Sequence, residues 1–175
     1  MSRRALSGSV RRHLGKIVQD RGMGHRVTGI DHVQLAMPSG RELEAEAFYA
    51  GVLGLEVLEK PPLLAARGGR WFTAAGGTGT GTAGPGGTGT AGTGGTGVGV
   101  QVHLGVEEGF RPARKAHPGL CVAGFDDLLA ALRERGIPWR TDGDLPGVRR
   151  IYVDDPFGNR LELIDAGPVG GGREG

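Results

Sequence analysis

The chain has 175 residues, 36 of them glycine, about three times the usual share of roughly 7 %. Thirteen of those glycines and seven threonines fall in the 24 residues from Gly76 to Gly99, which have one proline and no Gly-X-Y period, so a collagen-like chain is excluded. The net charge of +2 is also local: residues 1–26 hold seven bases against one acid, and the remainder is net acidic, which argues against a nucleic-acid-binding body.

The basic tail, residues 1–28, has no apolar run of signal-peptide length and is expected to be disordered; Met23 offers an alternative start. From Gly29 the pattern becomes globular. Ile30–Met37 alternates as a half-buried strand with Val33 and Leu35 on one face. Pro38 ends it, Ser39 and Glu42 have capping-box spacing, and Leu43, Ala47 and Ala50 follow at helical spacing up to Gly54. Leu55–Leu58 and Arg70–Thr73 are short strands. The Gly/Thr window, 76–99, reads as a disordered inserted loop, and Val98–Leu104 resumes the alternation with Val100, Val102 and Leu104 on one face.

After a charged connection, Gly105–Ala116, the same order returns. His117–Ala123 is a strand, Asp126 caps a helix carrying Leu128, Leu129 and Leu132, and Gly136 closes it. Ile137–Arg140, Arg149–Val153 and Arg160–Ile164 are strands, the last two flanking the turn Asp154-Asp155-Pro156-Phe157-Gly158-Asn159. The predicted architecture is therefore α+β, with β-α-β-β-β appearing twice in one domain, 29–166, followed by a Gly-rich tail, 167–175. The single cysteine, Cys121, excludes an intrachain disulfide and points to a reducing, cytoplasmic setting. No stretch approaches the roughly 18 apolar residues of a membrane span.

Strand alternation selects a polar lining opposite the apolar faces. His32 and Gln34 share it on the first strand, Gln101 and His103 on the fourth, His117 and Cys121 on the fifth, and Arg160 and Glu162 on the last. Of five histidines, the three outside the tail all fall on this lining. With Glu162 they form a set, His32, His103, His117 and Glu162, competent for Zn, Fe(II), Mn or Ni.

Gly29-Ile30-Asp31-His32-Val33, Phe48-Tyr49-x-x-Val52-Leu53-Gly54-Leu55 and Asp154-Asp155-Pro156-Phe157-Gly158-Asn159-Arg160-Leu161-Glu162-Leu163 resemble the vicinal oxygen chelate superfamily. That group spans glyoxalase I, extradiol dioxygenases, fosfomycin-resistance enzymes and bleomycin-resistance proteins. The resemblance implies paired βαβββ modules forming a cupped mixed sheet, and a divalent metal at His32, His103, His117 and Glu162. It departs from glyoxalase I at His103, where that enzyme carries a carboxylate engaged in proton transfer. In the dioxygenase and fosfomycin branches the ligand set corresponds to His32, His117 and Glu162, leaving His103 as a fourth ligand or an acid/base.

The expected function is accordingly a metal-dependent lyase, isomerase or dioxygenase acting on a small oxygenated metabolite, with His103 and Glu162 as catalytic residues. Gln34, Gln101, Arg114, Arg149 and Tyr152 are expected to orient the substrate, an arginine fork suiting carboxylate or phosphonate. The competing reading is a non-catalytic protein that sequesters a small molecule in the cup, as bleomycin-resistance proteins do; the full ligand set favours the enzyme. Neither nucleic acid nor membrane is expected as a partner. The sequence is compatible with a cup formed within one chain or across a homodimer.

Overall fold

In a computed structural model the described residues are 29–74 and 100–168. Both tails and the Gly/Thr window expected to be disordered lie outside them, apart from Gly167 and Pro168. The chain divides into two compact units, residues 1–30 and 31–175. Of the first, only Gly29 and Ile30 are described, both exposed.

The second unit runs β1 (His32–Met37), α1 (Glu42–Tyr49), β2 (Leu55–Leu58), α2 (Pro62–Ala65), β3 (Arg70–Ala74), β4 (Gln101–Val106), β5 (Gly119–Val122), α3 (Phe125–Glu134), β6 (Trp139–Thr141), β7 (Arg150–Asp154) and β8 (Arg160–Asp165). It holds two four-stranded mixed sheets of matching order, β1-β4-β3-β2 and β5-β8-β7-β6. In each, the first strand lies parallel to the last and the other pairs are antiparallel. The repeated β-α-β-β-β order thus becomes two equivalent modules.

One face of each sheet is buried in a shared core. Leu35, Met37, Phe72, Val102 and Leu104 come from the first sheet and Ile151, Val153, Leu161 and Leu163 from the second, packed with Phe48, Tyr49, Phe125, Leu128 and Leu132 of the helices. Full burial of each such side chain is worth about 1.5–3 kcal/mol, which neither sheet face realises alone. Because side chains alternate along a strand, the same packing commits the even-numbered positions of β1, β7 and β8 and the odd-numbered positions of β4 to the opposite face.

The turn between β7 and β8 joins the modules. Asp155 is 5 % exposed and Asn159 1 %. One Asp155 oxygen accepts the amide hydrogens of Phe157 and Asn159 at 2.9 and 2.8 Å. The other accepts the Tyr49 hydroxyl of α1 and the Asn159 side-chain amide, both at 2.9 Å. That amide also donates to the Ala36 carbonyl of β1 at 2.9 Å, while Asn159 Oδ1 accepts Ala113 N–H at 2.9 Å. Burial holds the Asp155 carboxyl above the ordinary range, and its hydrogen bonds pull the other way.

Several local expectations are corrected. The Ser39/Glu42 capping box does not form: α1 starts at Glu42 after Arg41 with no side-chain cap, and Glu42 instead accepts the Gly69 amide hydrogen at 2.9 Å. The buried face of α1 is Ala45, Phe48 and Tyr49, whereas Leu43 is 77 % exposed and Ala47 exposed, because two aromatics offer more apolar area than one leucine and two alanines. Likewise α3 begins after Gly124, whose φ of 71° turns the chain in, and Asp126 sits inside the first turn, paired with Arg149. Val100, expected in the core, precedes β4 and is 45 % exposed. Helix α2 has no apolar periodicity to mark it in the sequence; Pro61 and Pro62 start it.

Gly69 shows how closely the first sheet is built. Its φ is +81°, and a Cβ there would stand 2.2 Å from the Leu104 carbonyl oxygen. Gly69→Ala is expected to cost about 2 kcal/mol or more in urea unfolding, from left-handed strain and the clash with β4 together. A cost below about 0.5 kcal/mol would mean that the β3–β4 edge yields freely.

Candidate metal and substrate site

The second module gathers half of the expected site. Gly119 and Tyr152 flank Glu162 in register on β5 and β7, so Tyr152 and Glu162 share the lining face. His117 precedes β5 and its Nε2 lies 3.5 Å from Glu162 Oε2; both side chains are largely buried, at 17 and 15 % exposure. The Nδ1 of His117 lies 3.0 Å from the Lys115 carbonyl oxygen and 3.2 Å from that of Arg114. A carbonyl only accepts, so Nδ1 carries a proton and Nε2 is the ring nitrogen that faces the carboxylate. A metal cation in place of a proton between Nε2 and Oε2 would take both atoms as ligands. Two ligands about 2.1 Å from an ion at a tetrahedral angle stand about 3.4 Å apart, close to the separation seen.

The first module carries the other half. His32 Nδ1 donates to Asp31 Oδ1 at 2.7 Å, which fixes that tautomer and leaves Nε2 free on a half-exposed ring. His103 is buried between aromatic planes: the Trp71 ring stacks at 4.0 Å and 6° on one side, the His32 ring at 4.2 Å and 16° on the other. Burial first, then the neighbouring His32, pushes its pKa down to about 4. Its Nε2 shares a hydrogen bond with Gln101 Oε1 at 3.1 Å. Nearly parallel rings direct their in-plane lone pairs side by side, so His32 and His103 in this stack do not converge on one ion. Among the described residues no three His, Cys, Asp or Glu side chains gather around a common point. The four expected ligands therefore stand as two pairs, one per module.

The expected substrate residues separate in the same way. Gln34 and Gln101 lie beside His103 and His32 on the first sheet, Gln34 in register with His103 and Gln101 with His32. Gly105 leaves room for the Gln34 amide, which a Cβ would meet at 2.5 Å. Tyr152 stands edge-on to His117, with ring centroids 5.4 Å apart. Arg114 is half-exposed and bonds Asp154 at 3.0 Å. Arg149 is the residue that does not belong: it shares the parity of Ile151, faces the helix side, lies over the Phe125 ring at 4.9 Å and pairs with Asp126 and Asp165. Its neighbour Arg150 takes the lining position, donating to Glu162 Oε1 at 2.6 Å and to Asp142 Oδ2 at 2.9 Å. Parity alone distinguishes the two: Arg150 and Tyr152 are two apart, Arg149 and Tyr152 three. Trp71, in register with His103 on β3, is the stacking partner that the strand alternation alone does not single out.

Residues 29–163 match the Glyoxalase/Bleomycin resistance protein/Dioxygenase superfamily. No curated protein matches the sequence significantly. A solved glyoxalase family protein from Bacillus anthracis is 38 % identical, covering 82 % of this chain and 98 % of its own, with a TM-score of 0.65. The fosfomycin resistance protein FosX from Listeria monocytogenes shares the fold at 13 % identity, covering 81 and 95 %, with a TM-score of 0.54. TnmS3, an antibiotic binding protein from Streptomyces sp. CB03234, does so at 20 % identity, covering 81 and 98 %, with a TM-score of 0.53. Both the match along the sequence and the paired βαβββ modules lead to one assignment: the chain belongs to the Glyoxalase/Bleomycin resistance protein/Dioxygenase superfamily.

Proposed function

We propose that the chain is a divalent-metal-dependent enzyme acting on a small oxygenated metabolite held through two of its oxygens. The observation that carries this reading is the convergence of His117 Nε2 and Glu162 Oε2 at 3.5 Å, with His117 Nδ1 held by two backbone carbonyls. His32 completes the ligand set, its free Nε2 oriented by Asp31. It stands on β1, an edge strand of its sheet, and His117 lies two residues before β5, an edge of the other. Two edges of this kind meet readily in a homodimer, one copy's His32 joining the other's His117 and Glu162.

A bound divalent ion supplies Lewis acidity that polarises a substrate oxygen. The chain's residues do the rest. Arg150 fixes the Glu162 carboxylate from the side opposite His117. Gln34 and Gln101 present amides to substrate oxygens. His103, kept neutral by burial, takes up a proton as an anionic substrate oxygen approaches, because the low dielectric that disfavours its charge also strengthens its attraction to a negative partner. Trp71 holds that ring in place. A cytoplasmic location suits the lone free thiol of Cys121, and no helix among the described residues is long and apolar enough to cross a membrane.

The test is metal content after purification without chelator. His32→Ala and Glu162→Ala are each expected to lose bound metal, with affinity falling at least about 100-fold. Mixing the two variants under subunit exchange restores about one ion per four chains if the site spans two copies, since one of the two sites in each mixed dimer is intact. Full metal content in both single variants overturns the metal site. Metal-independent binding of a small molecule in the wild type, with no ion bound, favours sequestration instead.

A further inference from the structure

The lining face of the second sheet carries more positive charge than the ligand set needs. Arg140, Tyr152 and Glu162 lie in one row across β6, β7 and β8, with Arg150 and Arg160 on either side of it. Most of these charges are matched. Arg150 is held by Glu162 and Asp142, Arg114 by Asp154. Arg140 stands 3.9 Å from the other Asp154 oxygen, beyond hydrogen-bond distance. Arg160 reaches no carboxylate among the described residues, and its Nε–H is buried without an acceptor. Its guanidinium centre lies over the Tyr152 ring, 5.7 Å from the centroid, within cation–π range.

Arg140, Tyr152 and Arg160 line one cavity of about 350 Å³ together with Asp142 and Asp144. Asp142 is already engaged, accepting from Arg150 and from the Asp144 amide at 2.7 Å. Asp144 is exposed, where water solvates its charge. The cavity therefore presents two guanidinium groups with unfilled donors and one tyrosine. Planar forks of this kind recognise oxyanions through paired N–H donors.

We propose that this cavity is an anion subsite, taking a carboxylate, phosphonate or phosphate group of the substrate on Arg160 and Arg140. Arg160 and Glu162 are two residues apart on one face of β8, about 6.6 Å along the strand. A substrate anchored on Arg160 thus extends its chelating oxygens to the Glu162–His117 pair, with three or four bonds between the two groups. This span rests on the metal-site reading; the anion subsite itself does not.

Calorimetric titration separates the two. Methylphosphonate is expected to bind chelator-treated protein, with affinity falling tenfold or more in Arg160→Ala, less in Arg160→Lys, and unchanged in Arg133→Ala on the helix. The Lys variant retains the charge, so a loss confined to the Ala variant cannot be attributed to misfolding, and urea midpoints of all three verify folding. No binding of methylphosphonate to the wild type, or equal affinity in wild type and Arg160→Ala, overturns the subsite. With Mn²⁺ present, 2-phosphoglycolate is expected to bind at least tenfold more tightly than methylphosphonate; equal affinities overturn the span and leave the subsite standing. If the wild type binds no Mn²⁺ while methylphosphonate binding still depends on Arg160, the metal reading fails and the anion subsite holds.

Discussion

Asp155→Ala is expected to lower the free energy of unfolding by about 3–5 kcal/mol at neutral pH, measured by urea denaturation. The substitution removes an acceptor for four donors at once: the amides of Phe157 and Asn159, the Tyr49 hydroxyl and the Asn159 side chain. Each buried donor left without a partner costs about 1–3 kcal/mol, and partial rescue by water brings the sum below simple addition. Since a domain of this size is stabilised by only about 5–15 kcal/mol, the variant should be marginal. Tyr49→Phe deletes one of the four bonds and should cost about 1 kcal/mol. Combining it with Asp155→Ala should cost less than the two separately, because the Tyr49 hydroxyl has already lost its acceptor. The bonds cross between modules, Tyr49 on α1 and Ala36 on β1 reaching a turn of the second half. A loss below about 1 kcal/mol in Asp155→Ala would show that the core alone holds the modules together.

This network marks the boundary of what the sequence discloses. The run from Asp154 to Asn159 is legible as a turn, since proline, glycine and asparagine each favour one. That the Asn159 side chain reaches Ala36, 123 positions away, leaves no local trace. The strands and both modules were legible because alternation is imposed by burial on one face, and burial of Leu35, Val102, Ile151 and Leu161 follows it. The helix starts were not. Ser39 and Asp126 have capping chemistry, yet both helices begin elsewhere, because the docking of Phe48 and Phe125 into the core sets where each enters. Within the site, parity placed His117 and Glu162 on one lining, where they stand 3.5 Å apart, and Tyr152 lies edge-on to His117. The same parity separates Arg150, which faces Glu162, from Arg149, which faces the helices and pairs with Asp126. What no periodicity encodes is the separation of the four candidate ligands into two pairs, which depends on how two sheets are placed in space.

The buried His103 ring gives the second large effect, in the dependence of stability on pH. Its pKa is pushed down to about 4, first by burial and then by His32, and exposure of the residue is only 6 %. In the unfolded chain it returns to an ordinary value near 6.5. A base whose folded pKa is lowered binds its proton more weakly when folded, so acid favours the unfolded state. Its stabilising contribution is complete above about pH 6.5 and is lost as pH falls towards 4, up to about 3 kcal/mol in all. Chelator-treated protein isolates the effect from metal release. His103→Phe preserves a ring between Trp71 and His32 but cannot titrate, so its stability should decline less steeply over this window than that of the wild type. The loss of the Gln101 hydrogen bond shifts its curve down without altering the slope. Parallel curves for the two proteins between pH 6.5 and 4 would mean that the stack admits a protonated ring, and with it the argument that His103 stays neutral until an anion arrives would fall.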